Sequence, residues 1–250
     1  PVSRLAVQQS VPKWLVKAFI DQDGLPTAQK ILAAINQPAH VAVRVNPAVT
    51  TLAEVENSLD QQGIEYRPSA IAPDALVITK GEVLSSGLFE QGAITIQDES
   101  AVLAVDSMQV QPGDRVLDAC AAPGGKTVQI AAQLWNGQVD ALDIHQHKTR
   151  LIQKNARRLH VADRVVTHTL DARHVDEEFA DKSFDKILVD APCSGIGLLR
   201  RKPEIRYSKR PEDSEQLHKI QLAILDAVAP KVKKGGIITY STCTILDQEN

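Results

Sequence analysis

The side chains of this chain that could do chemistry are gathered in a few short stretches. Residues 118–127 run Asp-Ala-Cys-Ala-Ala-Pro-Gly-Gly-Lys-Thr. Here Gly124 and Gly125 let the backbone approach a ligand, and the helix expected to follow presents free amides to it. Asp143 and Asp190 each end an apolar segment and Asp171 follows another. Two cysteines occupy similar places, Cys193 in Asp190-Ala191-Pro192-Cys193 and Cys243 in Ser241-Thr242-Cys243. If the apolar segments are parallel strands these residues fall on one edge, because open parallel sheets bind ligands outside the carboxyl ends of their strands. Carboxylates at successive strand ends suit a ligand carrying ribose hydroxyls, exocyclic amines and a cationic centre. Taken singly each signal is weak: an Asp at a strand end ordinarily caps the next helix, and a lone Cys there is ordinarily a small core residue.

Three nucleotide ligands compete for the Gly-rich turn. A phosphate loop of the form Gly-x-x-x-x-Gly-Lys-Ser/Thr is matched in its tail by Gly125-Lys126-Thr127, but Cys120 stands at its first glycine. A dinucleotide turn, Gly-x-Gly-x-x-Gly, finds only adjacent glycines, although Asp143 sits where a ribose-binding acid would be. S-adenosylmethionine has no phosphates to neutralise and tolerates a shorter, less regular turn.

The elements that must position these residues follow from the apolar pattern. Residues 11–36 give two short helices, one with Trp14, Leu15, Ala18 and Phe19 on its stripe and one with Ile31, Leu32 and Ile35, separated at Gly24 and Pro26. A strand over 40–45, a helix over 51–61 carrying Leu52, Val55 and Leu59, and strands over 64–67 and 75–79 make a small β-α-β-β unit. From about Ile94, strands alternate with helices as in a parallel α/β fold. Strands are expected at 116–119, 138–143, 165–169, 186–190 and 237–241, with helices over 127–134 and 147–159. A long helix carries Leu217, Ile220, Ile224, Leu225 and Val228 and is closed by Gly235-Gly236.

With 250 residues, 43% hydrophobic and 24% charged, the chain has room for one large domain and a small one, and disordered and fibrous classes are excluded. No apolar run approaches the roughly 18 residues of a membrane span, so no membrane partner is expected. Cys120, Cys193 and Cys243 form neither an even disulfide framework nor a C-x-x-C metal pair, and His145 and His147 flank a basic helix as solvated residues. A reducing cytoplasm and no metal are therefore expected. Pro1 is preceded by neither an initiator Met nor an apolar leader, which suggests a chain beginning inside a longer gene product. The net charge of −3 argues against wholesale wrapping of nucleic acid. Two clusters are nonetheless basic: 148–164 has six Lys or Arg against one Asp, and 200–210 six against one Glu. The second directly follows Cys193 and is expected to contact phosphates at the rim of a cleft, against the alternative of a merely solvated face.

Ala119-Cys120-Ala121-Ala122-Pro123-Gly124-Gly125-Lys126-Thr127, Leu142-Asp143-Ile144, Leu170-Asp171-Ala172-Arg173, the block from Asp190 to Gly197 and Tyr240-Ser241-Thr242-Cys243-Thr244, in this order, resemble the signature blocks of the Sun family of RNA cytosine-5 methyltransferases. The match is nearest to the bacterial 16S rRNA enzymes. Gln97 and Asp98 match a supporting block before the first strand. The resemblance implies an α/β fold, a Rossmann-like class I methyltransferase sheet cut short at its C-terminus and preceded by a small α+β accessory domain. It divides the chain into N-terminal helices (1–36, the remnant or linker of a preceding RNA-binding domain), the accessory domain (37–90) and the S-adenosylmethionine-dependent methyltransferase domain (91–250).

The resemblance also implies the site. Cys120, Ala121, Ala122, Pro123, Gly124, Gly125 and Lys126 would wrap the methionine and ribose end of S-adenosyl-L-methionine, Asp143 would bind the ribose hydroxyls and Asp171 the adenine amine. Asp190 would face the methyl group and the target base. Cys243 would be the nucleophile and Cys193 its helper in product release. A thiolate is required because carbon 5 of cytosine is a poor nucleophile until carbon 6 is attacked, and a hydroxyl is too weak near neutral pH. The base must be presented unpaired. The implied partner is 16S ribosomal RNA and the implied state a cytoplasmic monomer. A P-loop NTPase and a non-catalytic RNA-binding module are the rival functions.

Overall fold

The computed structural model describes residues 1–250. Their contacts divide the chain into two compact units, one of residues 1–39, 191–223 and 241–250 and a larger one of residues 40–190 and 224–240. No helix is long and apolar enough to cross a membrane. In the smaller unit α1 (Val2–Gln9) ends at Ser10 in the left-handed region, and α2 (Lys13–Ala34) is broken at Gly24 (φ 77°) with Pro26 behind it. The break falls at the glycine and proline that the apolar pattern points to. α1 itself is not legible in the sequence, because it offers only Leu5 and Ala6 as buried residues. Leu15, Val16, Phe19 and Leu32 of α2 pack with Leu5, Ile196, Leu199 and Leu246, so residues far apart in sequence close one core.

The larger unit begins with an antiparallel sheet of order β2-β3-β1-β4, built from β1 (Val41–Val45), β2 (Glu65–Pro68), β3 (Ala75–Lys80) and β4 (Ile94–Ile96). Helix α3 (Leu52–Gln61) starts in a capping box: Glu54 N donates to Thr51 Oγ1 (3.3 Å) and Thr51 N to Glu54 Oε2 (2.8 Å). Its Val55 and Leu59 cover Val43, Leu76 and Ile94 of the sheet. β4 pairs with β1, so the small sheet extends past residue 90. With only three residues, β4 has too little pattern to read as a strand.

After α4 (Glu99–Asp106), a second sheet takes the order β7-β6-β5-β8-β9. Its elements are β5 (Arg115–Asp118), α5 (Gly125–Gln133), β6 (Gln138–Asp143), α6 (Gln146–Arg158), β7 (Val165–Thr169) and β8 (Phe184–Asp190). β5 pairs in parallel with both β6 and β8, and β6 with β7. The chain thus builds outward on one side of β5 and then crosses to the other, the Rossmann-like arrangement that opens a ligand crevice at the ends of β5 and β8. Next come α7 (Ile205–Ser208), α8 (Pro211–Val228) and β9 (Val232–Ser241). Gly235 and Gly236, expected to close the long helix, lie inside β9: a Cβ on Gly236 would stand 2.6 Å from Asp185 O of β8, a close backbone approach that only glycine permits.

Within the larger unit the two sheets are clipped together by buried polar groups. Asn46 Nδ2 donates to Gly92 O (2.9 Å) and Leu159 O (2.8 Å). Arg158, at the end of α6, lies over the Phe89 ring and donates to Phe89 O (2.7 Å), Ile94 O (3.1 Å) and Thr95 Oγ1 (3.1 Å). Gly92 sits in this junction at φ 74°, and a Cβ there would stand 2.1 Å from Arg158 O. Gly92→Ala is therefore expected to destabilise the protein by roughly 2–4 kcal/mol through strain and lost clips, seen as a lower urea midpoint at unchanged slope. An unchanged midpoint would show that the junction yields.

Candidate functional site

In the larger unit the ends of β5 and β8 and the turn into α5 form a cavity lined by Gln97, Asp118, the segment from Cys120 to Pro123, Gly125, Lys126 and Asp190. Gly124 (φ 103°) caps α5, and a Cβ on it would come 3.1 Å from Ile152 Cα of α6, which explains why glycine is needed there. Lys126 Nζ lies 2.6 Å from Asp190 Oδ2. Asp118 is 1% exposed. Its Oδ2 accepts from Thr127 Oγ1 at 2.7 Å while its Oδ1, equally buried, has no partner. Burial pushes this carboxyl up to about 7 against the pull of the Thr127 hydrogen bond, and the charge of Asp190 adds to the rise. Gln97 lines the cavity with both ends of its amide engaged, accepting from Arg44 Nε (2.9 Å) and donating to Gln129 Oε1 (2.7 Å).

Asp143 and Asp171 do not line this cavity. Asp143 Oδ1 accepts from His145 N at 2.9 Å as the chain turns into α6, and its Oδ2 is 3.9 Å from Lys148 Nζ. Asp171 is gripped on both oxygens by the Arg173 side chain at 2.6–3.1 Å, which holds its carboxyl below the ordinary range. Both nonetheless belong to one electrostatic neighbourhood. Burial raises the Cys120 thiol above its ordinary value, and the charges of Asp118, Asp190, Asp143 and Asp171, in that order, raise it further. Four carboxylates around one residue favour a cationic ligand with amine and hydroxyl donors. They disfavour a triphosphate, for which the turn offers a lysine already paired with Asp190. Cys120, held as a thiol, contributes shape and backbone rather than a nucleophile.

The smaller unit holds the other two cysteines. Cys193 and Cys243 meet with their sulfurs 2.9 Å apart, and Cys243 N donates to Cys193 Sγ at 3.2 Å. Their loops are laced together: Ala191 N donates to Ser241 O (2.8 Å) and Gly197 N to Cys243 O (2.9 Å), while Ser194 Oγ and Thr244 Oγ1 are 2.9 Å apart. The hydrogen bond from the Cys243 thiol, helped by the backbone amides of Cys243 and Gly195, outweighs burial and pulls Cys193 down to about 7. Half-buried Cys193 therefore carries negative charge for part of the neutral range, with the exposed Cys243 at hydrogen-bonding distance from it. In sequence, Cys193 stands three residues after Asp190 and Cys243 two after the end of β9.

The basic runs are partly consumed by the fold. Arg206, 8% exposed, donates to Ile35 O (3.1 Å) and Ser10 O (3.4 Å). Arg200 Nε donates to Ala34 O at 2.6 Å and Tyr207 Oη to Ser10 O at 2.9 Å. These carbonyls lie at the C-terminal ends of α1 and α2, where helices leave acceptors unsatisfied and cations are favoured. Within 200–210, buried Arg206 is thus taken by the fold, while Arg200 stays exposed beside its one bond to Ala34 O. Lys202 and Arg210 remain exposed. In the other run Arg158 is the clip described above, and Arg164 donates to Ala131 O at 3.2 Å.

Two family models match the chain. One, described as 16S rRNA methyltransferase RsmB/F, covers residues 105–250, more than half of its length. The chain belongs to that family. The other, described as an RsmF/B-like ferredoxin-like domain, covers residues 11–83. The RsmB/F chain is 44% identical over 251 residues to the probable ribosomal RNA small subunit methyltransferase B of Bacillus subtilis (strain 168), covering 100% of this chain and 56% of that protein. It is 39% identical over 244 residues to the ribosomal RNA small subunit methyltransferase B of Yersinia enterocolitica, covering 96% and 55%. It thus spans about half the length of the curated relatives it matches. Among solved structures, a methyltransferase homolog protein from Pyrococcus horikoshii superposes with a TM-score of 0.87 at 27% identity, covering 99% of this chain and 78% of that one.

Asp118 is the residue here that sequence reasoning passes over as merely the start of the turn. Its carboxyl is raised from an unfolded value near 3.8 to about 7, so the stability it contributes is fully present below the unfolded value and is lost as pH rises through about 7. Asp118→Asn keeps an acceptor for Thr127 and removes the titration. Urea unfolding of the wild type should weaken between pH 4 and 8 by an amount of order a few kcal/mol, and the variant should flatten that slope. Parallel curves for the two proteins would show that Asp118 is solvated.

Proposed function

We propose that this chain carries the S-adenosylmethionine-binding and catalytic parts of an enzyme that methylates carbon 5 of a cytosine in 16S ribosomal RNA. The observation that carries the reading is the cysteine pair, with sulfurs 2.9 Å apart and Cys193 pulled down to about 7, in a chain of the RsmB/F family. A ribosomal RNA substrate puts the activity in the cytoplasm, where ribosomes are assembled.

The carboxylate-rich edge of the larger unit fits S-adenosylmethionine better than a nucleoside triphosphate. Asp118 lines the cavity, and its buried Oδ1 has no hydrogen-bond partner. In this reading the turn from Cys120 to Lys126, with Asp143, Asp171 and Asp190, holds the molecule, and Asp143 accepts from the ribose. When bound, S-adenosylmethionine supplies a methyl group on a sulfonium, an electrophile that needs no activating acid.

The residues of the smaller unit make the base reactive. Cys193 takes the proton of Cys243, and the resulting Cys243 thiolate adds to carbon 6 of a cytosine, forming a carbon–sulfur bond and placing the electron pair on carbon 5. After carbon 5 is methylated its proton leaves to solvent. The carbon–sulfur bond then breaks, and Cys193 returns its proton to the departing Cys243 sulfur, which restores the resting pair. Cys193 is thus needed most at the last step, where a thiolate is a poorer leaving group than a thiol.

Two outcomes follow. Asp143→Ala is expected to weaken S-adenosylhomocysteine binding by roughly tenfold or more, from the loss of a charged acceptor contributing about 1.5–3 kcal/mol, with ATP binding to neither protein. Calorimetric titration reads both, and ATP binding by the wild type would overturn the cofactor assignment. In the full-length protein, Cys243→Ala should abolish methyl transfer and any covalent protein–RNA adduct. Cys193→Ala should instead accumulate an adduct that survives a denaturing gel. The reverse pattern would exchange the roles of the two cysteines.

A further inference from the structure

Glu249 has no part in the chemistry above, yet its carboxylate is one of the most completely buried polar groups of the smaller unit, at 1% exposure. It lies in a short 3-10 turn, Asp247–Glu249. Both oxygens are engaged. Oε2 accepts from Ser194 N at 2.8 Å and from Gln221 Nε2 at 3.1 Å, and Oε1 accepts from Ser214 Oγ at 2.6 Å. Gln221 Nε2 also donates to Pro192 O at 2.9 Å. The backbone on either side of Cys193 is therefore tied to this one carboxylate, directly at Ser194 and through Gln221 at Pro192. The cysteine between them has little room to move.

Burying a carboxylate costs several kcal/mol unless donors surround it, so a glutamate is an expensive choice for a purely structural bracket. Amide and hydroxyl donors fix its position, and its charge bears on Cys193. We propose that Glu249 is a positioning residue for the cysteine pair: it locks the Pro192–Ser194 turn so that Cys193 Sγ receives the hydrogen bond from Cys243, and its charge limits how firmly the anion settles on Cys193. The second half matters because Cys193 must release and recover a proton during the cycle, which an overly stabilised thiolate would not do. The titratable groups that bear on Cys193 are Cys243, whose hydrogen bond lowers it most, and Glu249, whose charge raises it. The inference rests on the reading that this pair carries the chemistry.

The test measures the thiols without RNA or cofactor. Alkylation of Cys193 by iodoacetamide is followed by mass spectrometry as a function of pH in the wild type, Glu249→Gln and Glu249→Ala, with circular dichroism to confirm folding. Glu249→Gln keeps the shape and an acceptor but removes the charge, so the alkylation midpoint should fall several tenths of a pH unit below the wild-type value of about 7. Glu249→Ala also frees the turn. Loss of the Cys243 hydrogen bond, the largest influence on Cys193, should then dominate and move the midpoint up toward the ordinary thiol value of about 8.5. Opposite shifts support the proposal, since a merely structural role would move neither midpoint in a folded variant. Unchanged midpoints, or a rise in Glu249→Gln, would overturn it. If Glu249→Ala fails to fold, the direction in Glu249→Gln decides alone. Failure of the underlying cysteine mechanism is seen separately, as methyl transfer that survives Cys243→Ala in the full-length protein.

Discussion

A parallel sheet whose strands end in carboxylates concentrates negative charge along one edge, and in this protein each of those charges is handled differently. Lys126, positioned by the glycine turn at the start of α5, meets Asp190. Arg173 takes both oxygens of Asp171, and Asp143 is absorbed by the turn into α6 with Lys148 nearby. Asp118, too deep for any cation, is pushed to about 7 and so carries a proton for part of the neutral range. What the neighbourhood still offers is acceptor capacity and a bias toward positive charge.

Much of this was legible in the sequence, for physical reasons. The inner strands of the second sheet show because they are buried on both faces and read as short apolar runs bounded by Asp or Gly, as in Val139–Asp143 before α6. The break at Gly24 shows because glycine and proline leave few alternatives. The failures share one cause, dependence on partners distant in sequence. β4 is a strand only because β1 lies beside it, and the glycines at 235 and 236 are strand residues only because β8 passes close by. Arg200 and Arg206 look like a solvent-facing basic run until folding brings the terminal carbonyls of α1 and α2 within their reach. For the same reason Glu249 carried no signal: nothing local distinguishes a glutamate that will accept from residues 194, 214 and 221 from one that faces water.

The cysteines show how geometry assigns roles that residue identity leaves open. Two thiols at hydrogen-bonding distance cannot behave as independent acids; they share a proton, and the backbone amides decide on which sulfur the charge rests. Those amides point at Cys193, which leaves the exposed sulfur of Cys243 as the one able to reach a partner. Cys120 shows the opposite use of the same side chain. Buried and surrounded by carboxylates, it is far less acidic than Cys193 and serves as a small, chemically silent wall.

The buried clips between the two sheets of the larger unit bear on how such a protein can be inherited. Asn46 reaches from the end of β1 to the carbonyls of both Gly92 and Leu159, Arg158 grips Phe89 and Ile94 from the end of α6, and Arg44 holds Gln97 in the wall of the cavity. A crossover between related genes near residue 90 would hand β1, β2 and β3 to a foreign β4 and a foreign α6, and each clip would lose one of its ends. A crossover near residue 39 cuts none of these clips, but it would part α1 and α2 from Ile196, Leu199 and Leu246, with which they close a core. The two small cores are thus each built from segments that only joint inheritance keeps matched.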